Sequence, residues 1–281
     1  GIIASIIAVE IYRFTDTANF KISMPDQVPP SVARSFEALV PTAIIMLFFG
    51  SITYWFGFDW HGFIGGLVAP LVTAADTLPS VLLLVFLVTF FWSFGIHGVS
   101  IVGTIARPLW LQLIENNGAA LAAGQPIPHI AAEPFFQWFI WIGGSGATIG
   151  LAIAMAFFSK SAYAKSLGKT SFAPALFNIN EPIIFGTPIV LNPILMIPFM
   201  VAPMINTVIA WFAVKSGIVH PVVSTPPWTL PGPIGAFLAT NFDIKALILN
   251  VILILTSFLI YYPFFKIYDN KLLAEEQGIQ E

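Results

Sequence analysis

Two segments of the chain are too long and too poor in charge to be packed inside a water-soluble domain. Thr77–Ala106 and Pro182–Val214 contain no Lys, Arg, Asp or Glu, whereas about 20 apolar residues suffice to cross the hydrocarbon core of a bilayer. Charged residues make up 9% of the sequence, against roughly 25% in a typical soluble domain. The chain is therefore predicted to be an all-α, multi-pass membrane protein.

Composition also narrows the functional classes. The formal net charge is −3, and no basic stripe is present that would bind nucleic acid. The sequence contains no cysteine, which excludes disulfides, thiolate metal ligands and a thiol nucleophile within these residues. Motifs typical of metallohydrolases and serine hydrolases are missing from it as well. We therefore expect no metal and no cofactor.

Several hydrophobic runs have the length of a membrane span. Ala38–Phe58, Pro134–Phe158 and Ala246–Phe265 are each predicted to form one spanning helix. The uncharged run that starts at Thr77 is longer than one span, and the two glycines of FGIHG (94–98) interrupt it. This run is predicted to form two helical pieces.

The connections between these runs differ in character. Apolar residues near helical spacing between Val32 and Val40 predict a short amphipathic helix at the membrane interface. Residues 62–75 are too short for a span, and we interpret them as re-entrant or buried in protein. Residues 115–133 and 216–237 are predicted loops. Lysine clusters at 160–169 and 266–271 are predicted to lie on the cytoplasmic side.

The motif FNINEPIIFGTPIVLNP (177–193) places a lone acid, Glu181, in uncharged sequence. An acid at the centre of a bilayer costs about 2.5–3.5 kcal/mol on insertion scales, so it normally faces a cavity and has a partner. Proline follows Glu181, Thr187 and Asn192, and the residue before a proline is driven away from helical backbone. The segment is therefore predicted to be interrupted, as in the substrate sites of transporters. Its asparagine amides suit a neutral, hydroxyl-rich ligand.

His97, in WSFGIHG, is a second polar side chain within apolar sequence. Its neighbouring glycines allow the backbone to break or to approach a ligand closely. Trp92 lies upstream, and Trp228 lies in the proline-rich stretch STPPWTLPGP. Both tryptophans offer aromatic faces that pack against the apolar faces of sugar rings.

Structural roles are alternatives for each of these residues. Glu181 could cap a helix that begins near Ile183 or pair with a lysine, and His97 could be a satisfied buried histidine. The tryptophans could be anchors at the membrane interface. Arg107, which precedes Pro108, is expected to mark an interface or to meet phosphate.

Together, the motifs resemble the membrane-embedded enzyme IIC components of the bacterial phosphoenolpyruvate-dependent sugar phosphotransferase system, in the lactose, cellobiose and diacetylchitobiose family. The resemblance rests on FNINEPIIFGTPIVLNP, VEIYRF, MPDQVPPSVARSFEALVP, WSFGIHG and STPPWTLPGPIGAFLATN, which occur in the family's order. It implies a helix bundle with re-entrant hairpins and an interfacial amphipathic helix, in a homodimeric permease of the cytoplasmic membrane. The family's N-terminal spans are expected to precede Gly1. Residues 1–60 would then end a dimerisation region, and residues 61–281 would form the substrate-binding region.

By motif match, the resemblance implies that Glu181 and His97 bind the sugar near its phosphorylatable 6-hydroxyl and are catalytic. It implies further substrate contacts from Asn180, Trp92 and Trp228. The substrate would be a β-linked disaccharide of the cellobiose, diacetylchitobiose or lactose type. A separate IIB protein, which receives its phosphoryl group from a IIA protein, would deliver phosphate from a phosphocysteine. This agrees with the lack of cysteine in this chain, because the phosphocysteine then belongs to the IIB protein.

The residues alone leave a second function open. In an ion-coupled secondary transporter, Glu181 would carry a proton or bind a cation. A membrane-embedded hydrolase is disfavoured, because the sequence has no recognisable nucleophile–base pair or metal cluster.

Overall fold

The described chain is mostly helical. We analysed a computed structural model of the protein, which describes residues 2–23, 25, 30–59, 63, 66, 70–71, 73–187 and 189–278. These residues contain no β-strand. The helices are α1 Ile2–Thr17, α2 Pro30–Glu37, α3 Leu39–Phe56, α4 Leu78–Ser93, α5 Gly98–Ala122, α6 Ile149–Phe158, α7 Ala162–Leu176, α8 Glu181–Gly186, α9 Pro193–Lys215, α10 Gly232–Ala239 and α11 Ile244–Glu276. Between α5 and α6, a helical turn at Glu133–Phe135 continues as a π-helix at Phe136–Ile140.

The chain divides into two compact units, Gly1–Val68 and Ala69–Glu281. In the first unit, α3 packs against α1 and α2, and Lys21 pairs with Asp16 at 2.7 Å. The predicted amphipathic helix corresponds to α2 and the start of α3. The predicted division after residue 60 falls close to the boundary between the units, and the dimerisation role of the first region stays a prediction.

Three helical stretches of the described residues are long and apolar enough to cross a membrane: Ala33–Trp55, Pro193–Lys215 and Ile244–Glu276. The predicted span from Ala38 coincides with α3. The span predicted to end at Phe265 coincides with the first part of α11, but this helix continues to Glu276. The hydrophobic runs therefore located these spans, although the polar end of α11 carried no hydropathy signal.

The uncharged run that starts at Thr77 is interrupted at residues 94–97, where the glycines of FGIHG predicted a break. α4 ends at Ser93, and α5 begins at Gly98. Between them Gly95 has a φ of +80°, a left-handed conformation that glycine adopts at low cost. The prediction made for residues 62–75 falls on a stretch in which half of the positions lie outside the described residues, so it stays a prediction.

The prediction of one spanning helix over Pro134–Phe158 is wrong. The π-helical segment ends at Ile140, and α6 begins only at Ile149. The glycines of the intervening GGSG motif, at 143, 144 and 146, have φ values of +77°, +96° and +85°. A right-handed helix cannot include residues in this conformation, so the apolar run is divided into two shorter helical pieces.

The prediction of a loop over residues 115–133 is wrong in its first part, because α5 continues to Ala122. The polar residue Asn117 is fully buried there. Its Nδ2 donates to the carbonyls of His129 at 2.9 Å and Val222 at 2.8 Å. Asn117 was one of the polar residues that suggested a loop. Its side chain instead anchors the C-terminal part of α5 to two connecting segments. The prediction of a loop over residues 216–237 is confirmed up to Pro231 and wrong beyond it, because α10 begins at Gly232.

The second unit packs around α11, which lies against α6, α9 and α10. At the crossing with α6, a Cβ on Gly150 would lie 2.5 Å from the backbone nitrogen of Phe258. At the same level of α11, Asn206 of α9 donates to the Oγ of Ser257 at 2.9 Å. Small residues at close crossings and polar pairs across them are typical of packing between membrane helices.

Two carboxylates of α11 hold the N-terminus of α7. Asp269 is 3% exposed and accepts hydrogen bonds from three donors of Ser159–Ser161. Glu276 accepts three more from Ser161–Tyr163. These contacts bring the two lysine clusters to the same end of the second unit, which agrees with their assignment to one side of the membrane. That this side is the cytoplasmic one stays a prediction.

We expect Asp269→Ala to lower the melting temperature of the detergent-solubilised protein. The substitution leaves buried backbone and hydroxyl donors of Ser159–Ser161 without their acceptor, at about 1–3 kcal/mol for each unsatisfied group. Glu275→Ala is the matched control, because Glu275 lies near the end of the same helix with an exposed side chain. Equal melting temperatures for the two variants would contradict a structural role of Asp269.

Candidate functional site

α8 is a short helix isolated by breaks on both sides, and it begins with Glu181. The preceding helix ends at Leu176, and the following helix begins at Pro193. Asn178 and Leu191, one in each break, have φ values of +63° and +57°. The prediction that this segment is not one continuous helix is therefore confirmed.

A cavity of about 550 Å³ lies next to α8. All five residues predicted for the site line it: Trp92, His97, Asn180, Glu181 and Trp228. Further lining residues come from α5, from the helical turn and π-helix at 133–140, and from the residues that follow the π-helix: Arg107, Glu133, Gln137, Trp138, Trp141 and Ser145. The fold thus brings together residues that are far apart in the sequence, while the chemical roles given to them stay predictions.

The carboxylate of Glu181 lines the cavity and has no partner among the described residues. Its side chain is exposed, and no hydrogen bond or ion pair joins it to another described residue. Asn180 occupies the N-cap position of α8, and no side chain caps this helix. Within the described residues, the structure therefore offers no support for the capping or lysine-pairing alternatives.

Asn180 holds the glycine-rich loop Gly143–Thr148 against the start of α8. Its Nδ2 donates to the Ser145 carbonyl at 2.7 Å and to Thr148 Oγ1 at 3.1 Å. Its Oδ1 accepts no hydrogen bond from another described residue, so this oxygen can accept one from a ligand hydroxyl. A Cβ on Gly144 would collide with the side-chain amide of Asn180, so only glycine fits between the two segments.

Asn178 joins the same loop to the segment that carries Trp228. Its Oδ1 accepts from Gly143 N at 3.0 Å, and its Nδ2 donates to the carbonyls of Trp228 at 2.8 Å and Leu230 at 3.0 Å. One amide thus satisfies three backbone groups of two irregular segments. Asn192, the third asparagine of the motif, caps α9 instead and does not line the cavity.

His97 caps the N-terminus of α5 and lines the cavity. Its Nδ1 accepts a hydrogen bond from the backbone N–H of Ser100 at 3.1 Å, and the hydroxyl of Ser100 lies 2.9 Å away. A nitrogen that accepts a backbone proton carries none itself, so the neutral ring has its proton on Nε2. The Nε2–H group can therefore donate to a ligand oxygen.

The two predicted tryptophans present different surfaces to the cavity. Trp92 is 3% exposed, and its ring packs against His97 at a centroid distance of 4.5 Å. Its Nε1 has no acceptor among the described residues. Trp228 is 55% exposed, so a large part of its ring is open to a ligand.

Sequence reasoning missed the lining residues of the π-helical segment and of the glycine-rich loop. Gln137 and Trp138 belong to a π-helix, a rare conformation that is frequent at functional sites. The signal that could have found this region was the GGSG motif, because clustered glycines argue against a continuous helix. The lone polar residue Gln137 in an otherwise apolar run was a second signal.

Arg107 and Glu133 form an ion pair at the cavity, with 3.1 Å between Nη2 and Oε1. The sequence predicted an interface or phosphate contact for Arg107, and it placed Glu133 in a loop. This pairing could not be predicted, because it depends on the unforeseen turn at Glu133–Phe135.

Two hydrogen bonds fix the ends of the interrupted segment. The hydroxyl of Tyr163, on α7, donates to the carbonyl of Gly186 at 2.7 Å. The backbone N–H of Leu191 donates to the carbonyl of Ser93 at 2.9 Å. The first contact anchors the C-terminal end of α8, and the second ties the following break to the end of α4, next to Trp92.

Comparison with known proteins identifies the family. The chain matches the family model described as "Phosphotransferase system, EIIC" over residues 1–203. The chain belongs to the EIIC family. Its fold is similar to the crystal structure of the transporter ChbC, the IIC component from the N,N′-diacetylchitobiose-specific phosphotransferase system. The TM-score is 0.91 at 40% identity, over 99% of this chain and 66% of ChbC.

Curated EIIC relatives match along the whole chain. It is 38% identical over 286 residues to the putative permease IIC component YwbA of Bacillus subtilis (strain 168), covering 100% of this chain and 64% of the relative. It is 40% identical over 291 residues to the PTS system cellobiose-specific EIIC component of Geobacillus stearothermophilus, covering 99% of this chain and 63% of the relative. The chain thus spans just under two thirds of these relatives. This EIIC chain is an integral membrane protein with the all-α fold that the sequence predicted.

We expect Gly144→Ala to lower the melting temperature of this EIIC chain more than Gly217→Ala does. Both glycines have positive φ, +96° and +74°, so each alanine incurs a backbone penalty of about 1–2 kcal/mol. Only at Gly144 does the new Cβ also collide with Asn180, whereas nothing lies within 4 Å at Gly217. Equal shifts in a thermal melt in detergent would contradict the close contact between the loop and Asn180.

Proposed function

We propose that this chain forms the substrate-binding part of an EIIC sugar permease, which carries a β-linked disaccharide of the cellobiose, N,N′-diacetylchitobiose or lactose type across the membrane. The observation that carries the proposal is the carboxylate of Glu181, which has no partner among the described residues and lines a cavity together with several tryptophans. A carboxylate forms strong hydrogen bonds with hydroxyl groups, and aromatic faces pack against the apolar faces of sugar rings. The names of the cellobiose-specific relative and of ChbC support this substrate class.

In this proposal, Glu181 and His97 act on the 6-hydroxyl of the sugar. Glu181 accepts the hydroxyl proton as general base while O6 forms a bond to phosphorus and the sulfur–phosphorus bond of a phosphocysteine breaks. The Nε2–H of His97 donates to the same oxygen and orients it. The Oδ1 of Asn180 accepts from a neighbouring hydroxyl, and Trp92 and Trp228 hold the rings.

The phosphoryl donor in this proposal lies outside the chain, because these residues contain no cysteine. The donor is a IIB component, recharged by a IIA component, that approaches from the cytoplasm. The two lysine clusters at one end of the second unit favour that end as the cytoplasmic one. The homodimer implied by the family resemblance belongs to the same proposal.

We expect Glu181→Gln to weaken disaccharide binding about 10- to 100-fold, because a hydrogen bond to a charged group is lost. Tryptophan-fluorescence titration with cellobiose, N,N′-diacetylchitobiose and lactose measures this effect and identifies the preferred sugar. Glu275→Gln, on the exposed end of α11, is the matched control and should bind like the wild type. Full affinity in Glu181→Gln would sink the proposed role of the carboxylate.

A transport assay separates group translocation from ion-coupled transport. In membrane vesicles without an ion gradient, the whole protein is expected to take up and phosphorylate the sugar when IIA, IIB and a phosphoryl donor are supplied. Glu181→Gln should accumulate little sugar phosphate under the same conditions. Uptake of unmodified sugar that requires an ion gradient would instead support a secondary transporter with Glu181 as its coupling site.

A further inference from the structure

A separate cavity of about 500 Å³ lies between the C-terminal ends of α5 and α9. One wall comes from residues between Leu121 and Ile127, and the other comes from residues between Val214 and Pro221. This cavity shares no lining residue with the one that contains Glu181. It is therefore not a part of the proposed sugar site.

Asn117 holds the two walls of this cavity together. The residue is fully buried in α5, and its Nδ2 donates to the carbonyls of His129 at 2.9 Å and Val222 at 2.8 Å. His129 lies two residues after the first wall, and Val222 directly follows the second. The separation of the walls is thus set by buried hydrogen bonds of the protein itself, and the cavity is formed before a ligand enters.

The cavity lies at one end of the longest membrane span. The backbone N–H of His220 donates to Oδ2 of Asp243 at 2.8 Å, and Asp243 caps the N-terminus of α11. Asp269, beside the lysine clusters, lies about 37 Å further along this helix at 1.5 Å per residue. A bilayer is about 40–45 Å thick with its headgroups. The cavity therefore lies at the level of the headgroups, in the leaflet opposite to the lysine clusters.

The polar side chains that line the cavity are basic or neutral. Lys215 is exposed and makes no hydrogen bond or ion pair with another described residue. The Nδ1 of His220 lies 2.7 Å from the carbonyl oxygen of Pro221, which can only accept, so Nδ1 carries a proton. The Nε2 of the same ring has no partner among the described residues.

The charge of this cavity favours an anion. The exposed side chain of Gln125 adds an amide that makes no hydrogen bond with another described residue. Among the described residues, no acid lines the cavity. The nearby carboxylate of Asp243 is occupied by the backbone N–H groups of His220 and Lys245. Two basic side chains and an amide thus meet without an acidic partner in the cavity.

The remaining walls distinguish a lipid from a soluble anion. They include the apolar side chains of Leu121, Ile127 and Val214. A phospholipid presents its phosphate at the headgroup level, and its acyl chains extend from there along the apolar surfaces of the helices. A free phosphate ion has no part that would contact apolar side chains. The combination of apolar walls and basic groups therefore fits a lipid.

We propose that Lys215, His220 and Gln125 form a binding site for the phosphate group of an anionic membrane lipid. The ammonium of Lys215 and the protonated ring of His220 donate charge-assisted hydrogen bonds to phosphate oxygens, and the amide of Gln125 donates to the same headgroup. Such a site requires only that the chain lies in a membrane. It does not depend on the role of Glu181.

The test measures how three probes raise the melting temperature of the whole protein in a neutral detergent. Dioctanoyl phosphatidylglycerol carries both a phosphate and acyl chains, dioctanoylglycerol lacks the phosphate, and glycerol 3-phosphate lacks the chains. The phospholipid is expected to bind the wild type most tightly, because it alone contacts both the basic groups and the apolar walls. The dependence of the shift on probe concentration gives each affinity.

Three variants assign the effect to this cavity. Lys215→Gln should bind the phospholipid about 10-fold more weakly, because a hydrogen bond to a charged group is lost, and should bind dioctanoylglycerol as the wild type does. Lys215→Arg keeps the charge and should retain most of the affinity. Lys266→Gln is the matched control, because it removes an exposed lysine in the last part of α11, and it should bind the phospholipid like the wild type.

Three results would overturn the lipid site. In the first, the wild type binds the phospholipid and dioctanoylglycerol equally well. In the second, Lys215→Gln and Lys266→Gln lose the same affinity, so that the effect is a general attraction between charges. In the third, glycerol 3-phosphate binds as tightly as the phospholipid, and the cavity then takes a soluble phosphate compound instead.

Discussion

The site depends on the requirement that backbone groups of interrupted helices find partners where water is scarce. The asparagine amides of the NINEP motif meet much of this requirement. Asn178 bonds to backbone groups of the glycine-rich loop and of the Trp228 segment, and Asn180 bonds to the same loop. Unsatisfied backbone groups at membrane depth would cost several kcal/mol each. The two amides therefore hold three irregular segments in one arrangement around the cavity.

This arrangement explains why the acid has no partner among the described residues. Asn178 and Asn180, just before Glu181, donate their amide N–H groups to backbone carbonyls of the Trp228 segment and of the glycine-rich loop. The helix that Glu181 begins is only one or two turns long. The surrounding segments rest in turn on α11 and the helices packed around it. A rigid support of this kind allows a polar side chain to remain available without collapse of the site around it.

Local sequence patterns predicted where the helices break, but they did not predict the tertiary contacts. Proline positions correctly predicted the interruptions around α8, and the glycines next to His97 predicted the break before α5. The sequence also named Glu181, His97, Asn180, Trp92 and Trp228, which all line the cavity. It failed over Pro134–Phe158, because hydropathy treats glycines in an apolar run as compatible with a helix, whereas their positive φ values exclude one. The ion pair of Arg107 was missed because its partner comes from that region.

The hydrogen bond between Tyr163 and Gly186 connects the site to the polar end of the second unit. Tyr163 lies in the first turn of α7 and donates to the C-terminal end of α8, while its own backbone is held by Glu276 near the end of the last helix. A contact that displaced the first turn of α7 would thus be transmitted to the helix that begins with Glu181. The position of the carboxylate is therefore coupled to a surface that does not line the cavity.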